Sequence, residues 1–210
     1  MAKERGGRTE LTQEERTEAS RNALIGATFK VIAEEGYRAA SLVRISEVAG
    51  LSRGLANYHF GTKRNLIEAV IKQITDTFAP TLPALEEGLS GYECVEQLFD
   101  SYIQGLISKG RQYSTSRVML LLAAEALTDA PEIDEAVKDA YDAVRDRIQD
   151  YLEHGMADGS VRSDISAVSD ALMLHGLLRG IVLQYFVSGD DQELVQAGDA
   201  TRELLTFLRP

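Results

Sequence analysis

Residues 42–63 read LVRISEVAGLSRGLANYHFGTK, and this stretch decides the fold. Ser41 is placed to cap a short helix over 42–48, with Leu42, Ile45 and Val48 or Ala49 facing inward. Gly50 ends that helix and supplies the positive φ of a tight turn. Ser52 then caps a second helix over 53–59. Ser46 and Ala49 are small enough for the two helices to cross closely, and Leu51 plugs the angle between them. Ala56 and Phe60 face back to a core, which leaves Arg53, Leu55, Asn57 and His59 pointing outward. Two short helices joined through a glycine turn are the arrangement of a helix-turn-helix.

Outward from this stretch the chain reads as all-α, with no period-2 strand, internal repeat or low-complexity tract. Residues 1–10 read as a disordered basic arm carrying Lys3, Arg5 and Arg8. Thr12-Gln13-Glu14-Glu15 forms a capping box with Leu11 as its staple. The helix that follows buries Leu24, Ala27, Val31 and Ile32 and stops at Gly36; Gly26 inside it marks a site of close packing. A connecting helix begins near Thr62 and ends at Pro80 and Pro83. Residues 80–91 are the clearest break. Five further helices are expected near 92–108, 114–128, 131–157, 166–187 and 192–208, punctuated by Gly110, Asp129-Ala130-Pro131, Gly159 and Gly189-Asp190. The expected domains are the arm (1–10), a helix-turn-helix domain (11–61) and a connecting helix plus larger helical body (62–210).

Charge is divided unevenly. The chain carries a net charge of -11, yet residues 1–72 hold 12 Lys/Arg against 9 Asp/Glu while residues 73–210 hold 10 against 24. The first third can face a polyanion while the rest is held away from it. One cysteine, Cys94, excludes an internal disulfide and a C-x-x-C metal knuckle. The first residues lack the apolar segment of a secretory signal, and the longest apolar runs are interrupted by Glu125 or by His175 and Arg179, so a cytoplasmic protein is expected. Three isolated histidines (His59, His154, His175), with no H-E-x-x-H, G-x-S-x-G or phosphate-cradling loop, speak against an enzyme, a metal or a cofactor. The rival reading is a helical small-molecule-binding protein or enzyme that does not touch DNA.

The stretch SRNALIGATFKVIAEEGYRAASLVRISEVAGLSRGLANYHFGTKRNLIEAV (20–70) resembles the N-terminal domain of the TetR family of transcriptional repressors. A first helix ending E-E-G-Y, the turn I-S-E-V-A-G-L-S and Y-H-F-G-T-K leading into an apolar helix all fall in one register, over about a quarter of the chain. The resemblance implies a homodimeric repressor on a partly palindromic double-stranded operator, released by a small-molecule effector. It implies that Ser41 and Ser52 bind phosphates, that Arg53 reads a guanine and that Leu55 meets a thymine methyl. It also implies that Gly54 lets the backbone approach, that Tyr58, His59 and Lys63 clamp the backbone, and that Arg44 adds a phosphate contact. Asn57 stands where the family commonly has tyrosine; its amide suits an adenine edge if it faces the groove, and its role is open. Other readings stand beside these: Tyr58 in the core, and Arg44 and Arg64 as solvated surface.

For the body, the resemblance implies dimerisation and effector binding. Helix 166–187 is apolar on nearly all sides, so it needs burial on two faces; Gly176 and Gly180 would let a second helix approach. With helix 192–208 it offers a two-fold interface that includes Leu183, Leu204 and Leu208; the alternative is a wholly internal helix. Candidates for the effector site are Tyr102, Arg117, Met119, Glu125, Tyr141, Arg145, Met173, His175, Arg179 and Tyr185. The acidic balance favours a neutral or cationic ligand. Ligand would tilt the connecting helix, 62–79, and change the separation of the recognition helices from the roughly 34 Å that successive major grooves require.

Overall fold

The structure is a computed structural model that describes residues 12–85, 88–109 and 114–210. Among the described residues there is no strand. The helices are α1 (Gln13–Glu35), α2 (Leu42–Ala49), α3 (Arg53–Phe60), α4 (Lys63–Phe78), α5 (Gly91–Lys109), α6 (Thr115–Ala126), α7 (Asp134–Asp158), α8 (Ala167–Ser188) and α9 (Asp191–Leu205). Single 3₁₀ turns at Tyr37–Ala39, Ala79–Thr81, Pro131–Ile133 and Thr206–Leu208 join or extend them, and the sequence pattern does not announce these. The expected basic arm, Leu11 and Gly110 lie outside the described residues.

Local signals place the first four helices. Thr12 and Glu15 form the reciprocal capping box, with Glu15 N–H donating to Thr12 Oγ1 and Thr12 N–H to Glu15 Oε2. Leu24, Ala27, Val31 and Ile32 are buried as the pattern expects. Gly26 is a correction: it is exposed, and a Cβ there would meet nothing within 4 Å. The core these helices form does not stop at residue 61. Leu24, Ile45, Phe60 and Leu66 pack in one cluster with Val118, Leu122 and Ala126 of α6 and with Ile133 and Val137 beyond it.

Close packing of helices occurs elsewhere, at Gly91 and Gly155. A Cβ on Gly91 would lie 2.1 Å from the Gly155 nitrogen and 2.3 Å from the Tyr151 carbonyl oxygen, so the start of α5 rests directly on the backbone of α7. The end of α7 then caps α5: Asp158 Oδ2 accepts from Gly91 N–H at 2.9 Å and Ser160 Oγ from Tyr92 N–H at 3.2 Å.

Helix α8 has two apolar faces. Ala171, Leu174, Leu178, Ile181, Val182 and Phe186 are buried. On the other side Val168, Leu172, Leu183 and Val187 are exposed at 62%, 58%, 48% and 78%, and Gly176 and Gly180 have open space above them. A 3.6-residue period puts these six on one face. By length and composition α8 is apolar enough to cross a membrane, with 39% of its most apolar window buried inside the fold. Leu204 is exposed, but Leu208 is fully buried beside Leu205 and Tyr151 and so cannot lie at an interface; the 3₁₀ turn after α9 rotates it into the core.

Candidate nucleic-acid interface and effector cavity

The helix-turn-helix is set by backbone geometry. Gly50 adopts φ 66°, and the N–H of Leu51 reaches back to the Ser46 carbonyl at 2.9 Å, closing α2 in a Schellman-type turn. Ser46 is buried, its hydroxyl donating to the Leu42 carbonyl at 2.6 Å. Ser41 Oγ accepts from Arg44 N–H and Ser52 Oγ from Leu55 N–H, each at 3.2 Å. Ile45, Ala56 and Phe60 anchor both helices in the core.

What remains is a face of exposed residues: Ser41, Ser52, Arg53, Gly54, Leu55, Asn57 and Tyr58. Tyr58 is 77% exposed, so it is not core. Among the described residues Arg53 has no carboxylate partner. Three other expected contacts are engaged by protein partners, Arg44 at the surface and His59 and Lys63 partly buried. Arg44 makes a two-pronged pair with Glu35, which holds its guanidinium more firmly protonated than usual, and it also approaches Glu47 at 3.5 Å. His59 Nε2 is 2.7 Å from Ser20 Oγ on α1. Lys63 Nζ donates to the Tyr37 carbonyl at 2.6 Å and sits 3.5 Å over the Tyr37 ring. Burial lowers the Lys63 pKa, against the pull of Glu125 and Glu132. The Tyr37 hydroxyl in turn donates to Glu132 at 3.0 Å; burial and that bond raise its pKa to about 12. Arg38 pairs with Asp129 nearby, so the first helices are tied to the chain around the end of α6.

A cavity of about 330 Å³ lies in the body between α4, α5, α6, α7 and α8. Of the residues expected at an effector site, Tyr102, Met119, Tyr141 and Arg179 line it. His175 stands behind Arg179, accepting from its Nε–H at 3.1 Å and meeting the Tyr141 ring edge to face. The others go elsewhere. Met173 is half exposed on the outer face of α8, Arg145 pairs with Asp142, and the Tyr185 hydroxyl donates to Asp191. Arg117 stacks on Phe186, and Glu125 sits close enough to Tyr37 and Lys63 to act on their ionisation. The sequence pattern did not single out Ile74, Thr75 and Phe78 on α4, Ser101 on α5, or Ser114 and Thr115 at the start of α6. Thr75, Ser101, Ser114 and Thr115 are short polar residues on amphipathic helices, which a surface position explains equally well, and Ile74 and Phe78 read as ordinary core positions.

An exposed, glycine-hinged recognition helix on a helical body with an internal cavity defines a class of one-component DNA-binding regulators. The family model described as "Bacterial regulatory proteins, tetR family" matches residues 24–70, and one described as "BetI-type transcriptional repressor, C-terminal" matches residues 95–209. The chain is 30% identical over 80 residues to the transcriptional regulator HbdR of Aromatoleum, spanning 38% of this chain and 35% of that one. It is 24% identical over 180 residues to the transcriptional repressor AcnR of Corynebacterium efficiens, covering 86% and 89% of the two chains. A TetR-family regulator from Cytophaga hutchinsonii superposes with a TM-score of 0.78 at 15% identity over 96% of this chain and 98% of that one. The chain belongs to the TetR family, and it is a helix-turn-helix DNA-binding transcriptional regulator.

Proposed function

We propose that the protein is a homodimeric repressor that leaves a partly palindromic operator when a small molecule fills the cavity. The observation that carries this reading is the placement of α4. Only Gly61 and Thr62 separate its first residue from the recognition helix, and its last turns (Ile74, Thr75, Thr77, Phe78) form a cavity wall. Helix α6 repeats the arrangement: Ser114, Thr115, Ser116 and Met119 face the cavity, while Val118, Leu122 and Ala126 belong to the core under the helix-turn-helix. A ligand that displaces α4 or α6 therefore moves the recognition helix. In a dimer this changes the spacing of two such helices from the roughly 34 Å between successive major grooves.

The DNA-facing roles fall to the exposed residues. Arg53 reads a guanine, Asn57 an adjacent base and Leu55 a thymine methyl, while Ser41, Ser52 and Tyr58 meet phosphates and Gly54 admits the backbone. The helix-turn-helix unit (11–61) serves DNA, and 62–210 serves effector and dimer. The exposed stripe of α8, from Val168 to Val187 with Leu172, Gly176, Gly180 and Leu183 between, is covered by the same stripe of a second copy rather than by lipid.

The test is titration of the full-length protein against DNA upstream of its own gene at several salt concentrations, followed by release with candidate compounds. Coupling must be reciprocal: a compound that weakens operator binding by some factor is itself bound more weakly by that factor on the operator complex. A saturating compound that leaves operator affinity unchanged overturns the release mechanism. Sedimentation of Leu183→Glu as a monomer, against a wild-type dimer, supports the α8 interface; an unchanged dimer removes it.

A further inference from the structure

The cavity wall carries a charge that the chain as a whole does not suggest. Phe78, Tyr102, Met119, Tyr141 and Val144 make its apolar and aromatic surface, and Arg179 is the one charged side chain among its described lining residues. That guanidinium has neutral company. Its Nη2 donates to the Tyr102 hydroxyl at 3.2 Å and its Nε to His175 Nε2 at 3.1 Å, and its carbon lies 4.6 Å from the Tyr141 ring centroid. His175 is itself uncharged near neutrality: burial, with Arg179 and Arg145 beside it, holds its pKa at about 4. Asp142 is the acid that acts on His175, and its carboxylate is already taken by Lys138 at 2.8 Å and Arg145 at 2.5 Å. Among the described residues two of the five N–H donors of Arg179 are used and no carboxylate pairs with it, so its fork faces a largely apolar space without a counter-charge there. The N-terminus of α6 opens on the same cavity at Ser114, Thr115 and Ser116, which adds the positive end of a helix dipole. A partly desolvated cation without an anion is an unfavourable arrangement that a ligand carboxylate would relieve.

We infer that the effector is an amphipathic organic monoanion: a carboxylate received by Arg179 on a short aliphatic or single-ring apolar body held between Phe78, Tyr102 and Tyr141. The inference rests on the cavity being the effector site. It reverses the expectation of a neutral or cationic ligand drawn from the net charge of -11. Distant surface charges are screened within about 8–10 Å in physiological salt, so the lining decides. One arginine suits a monoanion; a phosphate ester, with its second charge, would call for a second cation in the wall. At about 330 Å³ the space is at the low end of ligand pockets, which favours a small body.

The experiment is calorimetric titration of the full-length protein with hexanoate, octanoate, decanoate and 4-phenylbutanoate, each against its own amide and its own amine. Three variants accompany the wild type: Arg179→Met, Arg179→Lys and Ala140→Phe, the last filling the cavity from α7. The expected result is that at least one acid binds about 10- to 100-fold more tightly than its amide and amine. Arg179→Met should erase that preference while leaving amide binding in place, Arg179→Lys should keep part of it, and Ala140→Phe should abolish binding. Retained amide binding and the lysine variant guard against a merely misfolded methionine variant. An amide or amine that binds as tightly as its acid, and loses binding in Ala140→Phe, overturns the anion while leaving the cavity as the site. An acid whose binding survives Ala140→Phe overturns the cavity itself. A preference that survives Arg179→Met, or no binding by any acid of the panel, overturns the proposal.

Discussion

The recognition helix and the body cavity each present an arginine that, among the described residues, no carboxylate neutralises, yet they are built in opposite ways. Arg53 stands on an eight-residue helix, in solvent, among neighbours from the same short stretch. Arg179 sits among Tyr102, Tyr141 and His175, on three helices far apart in sequence, with its donors partly used and its plane against aromatic rings. The first arrangement costs the fold little, because an exposed guanidinium keeps its water. The second exists only while α5, α7 and α8 stay packed. Substitutions on the recognition face should therefore change DNA affinity and leave stability alone, whereas substitutions in the body should change stability first.

The largest effect expected from this contrast comes from a residue that touches neither ligand. Gly91→Val would drive a side chain into the backbone of α7 at Gly155 and should destabilise the protein by about 3 kcal/mol or more, read as a lowered thermal midpoint. The fraction that remains folded should bind operator normally. A variant that melts like the wild type would mean that α5 and α7 do not meet as described.

Acid should separate the two regions next. The His175 pKa is lowered to about 4 in the fold from an ordinary value near 6.5. The unfolded chain therefore takes up that proton first, and stability present above pH 6.5 is lost as pH falls toward 4. The loss should be at most about 3 kcal/mol from this group. Urea unfolding at pH 7 and pH 4.5 measures it, and His175→Gln, which keeps an acceptor for Arg179, should flatten that part of the slope. An unchanged slope in the variant would assign the acid sensitivity to other groups.

On the recognition face, Arg53→Ala should cost on the order of 1–3 kcal/mol of operator affinity and relax one base position, with an unchanged melting temperature. Equal weakening on every sequence would make Arg53 a phosphate contact. A drop in stability would break the contrast itself.

The same difference explains what the sequence reveals. The capping box at Thr12, the caps at Ser41 and Ser52 and the turn at Gly50 are local signals, each satisfied within four or five residues, and they make the helix-turn-helix readable. The body is readable as helices but not as a site. Thr75, Ser101 and Thr115 meet only because three helices converge, and no spacing within one helix records that. Glycines mislead for a related reason. Gly26 looks like a packing site and is open, while Gly91 and Gly155, which do pack, are 64 residues apart. The net charge says little about the cavity, because it sums residues that do not line it.

The smallest expected effect concerns Lys63, where family resemblance and geometry point different ways. Resemblance places its ammonium on a DNA phosphate; here it is bound to the Tyr37 carbonyl, over the ring, and partly desolvated. To reach DNA it must leave both partners. If it stays, Lys63→Met should leave the dependence of operator affinity on salt unchanged while lowering thermal stability slightly, since nothing then ties α4 to the turn at Tyr37 through this side chain. If it swings out, the slope of log affinity against log salt should become shallower by about 0.9 for each phosphate that the variant no longer neutralises, equally for every DNA sequence. The second outcome would make Tyr37 a resting place for a mobile side chain. The loop it occupies, held by Glu132 and Asp129 just beyond the end of α6, would then be the point where the fold and the operator compete for the same ammonium.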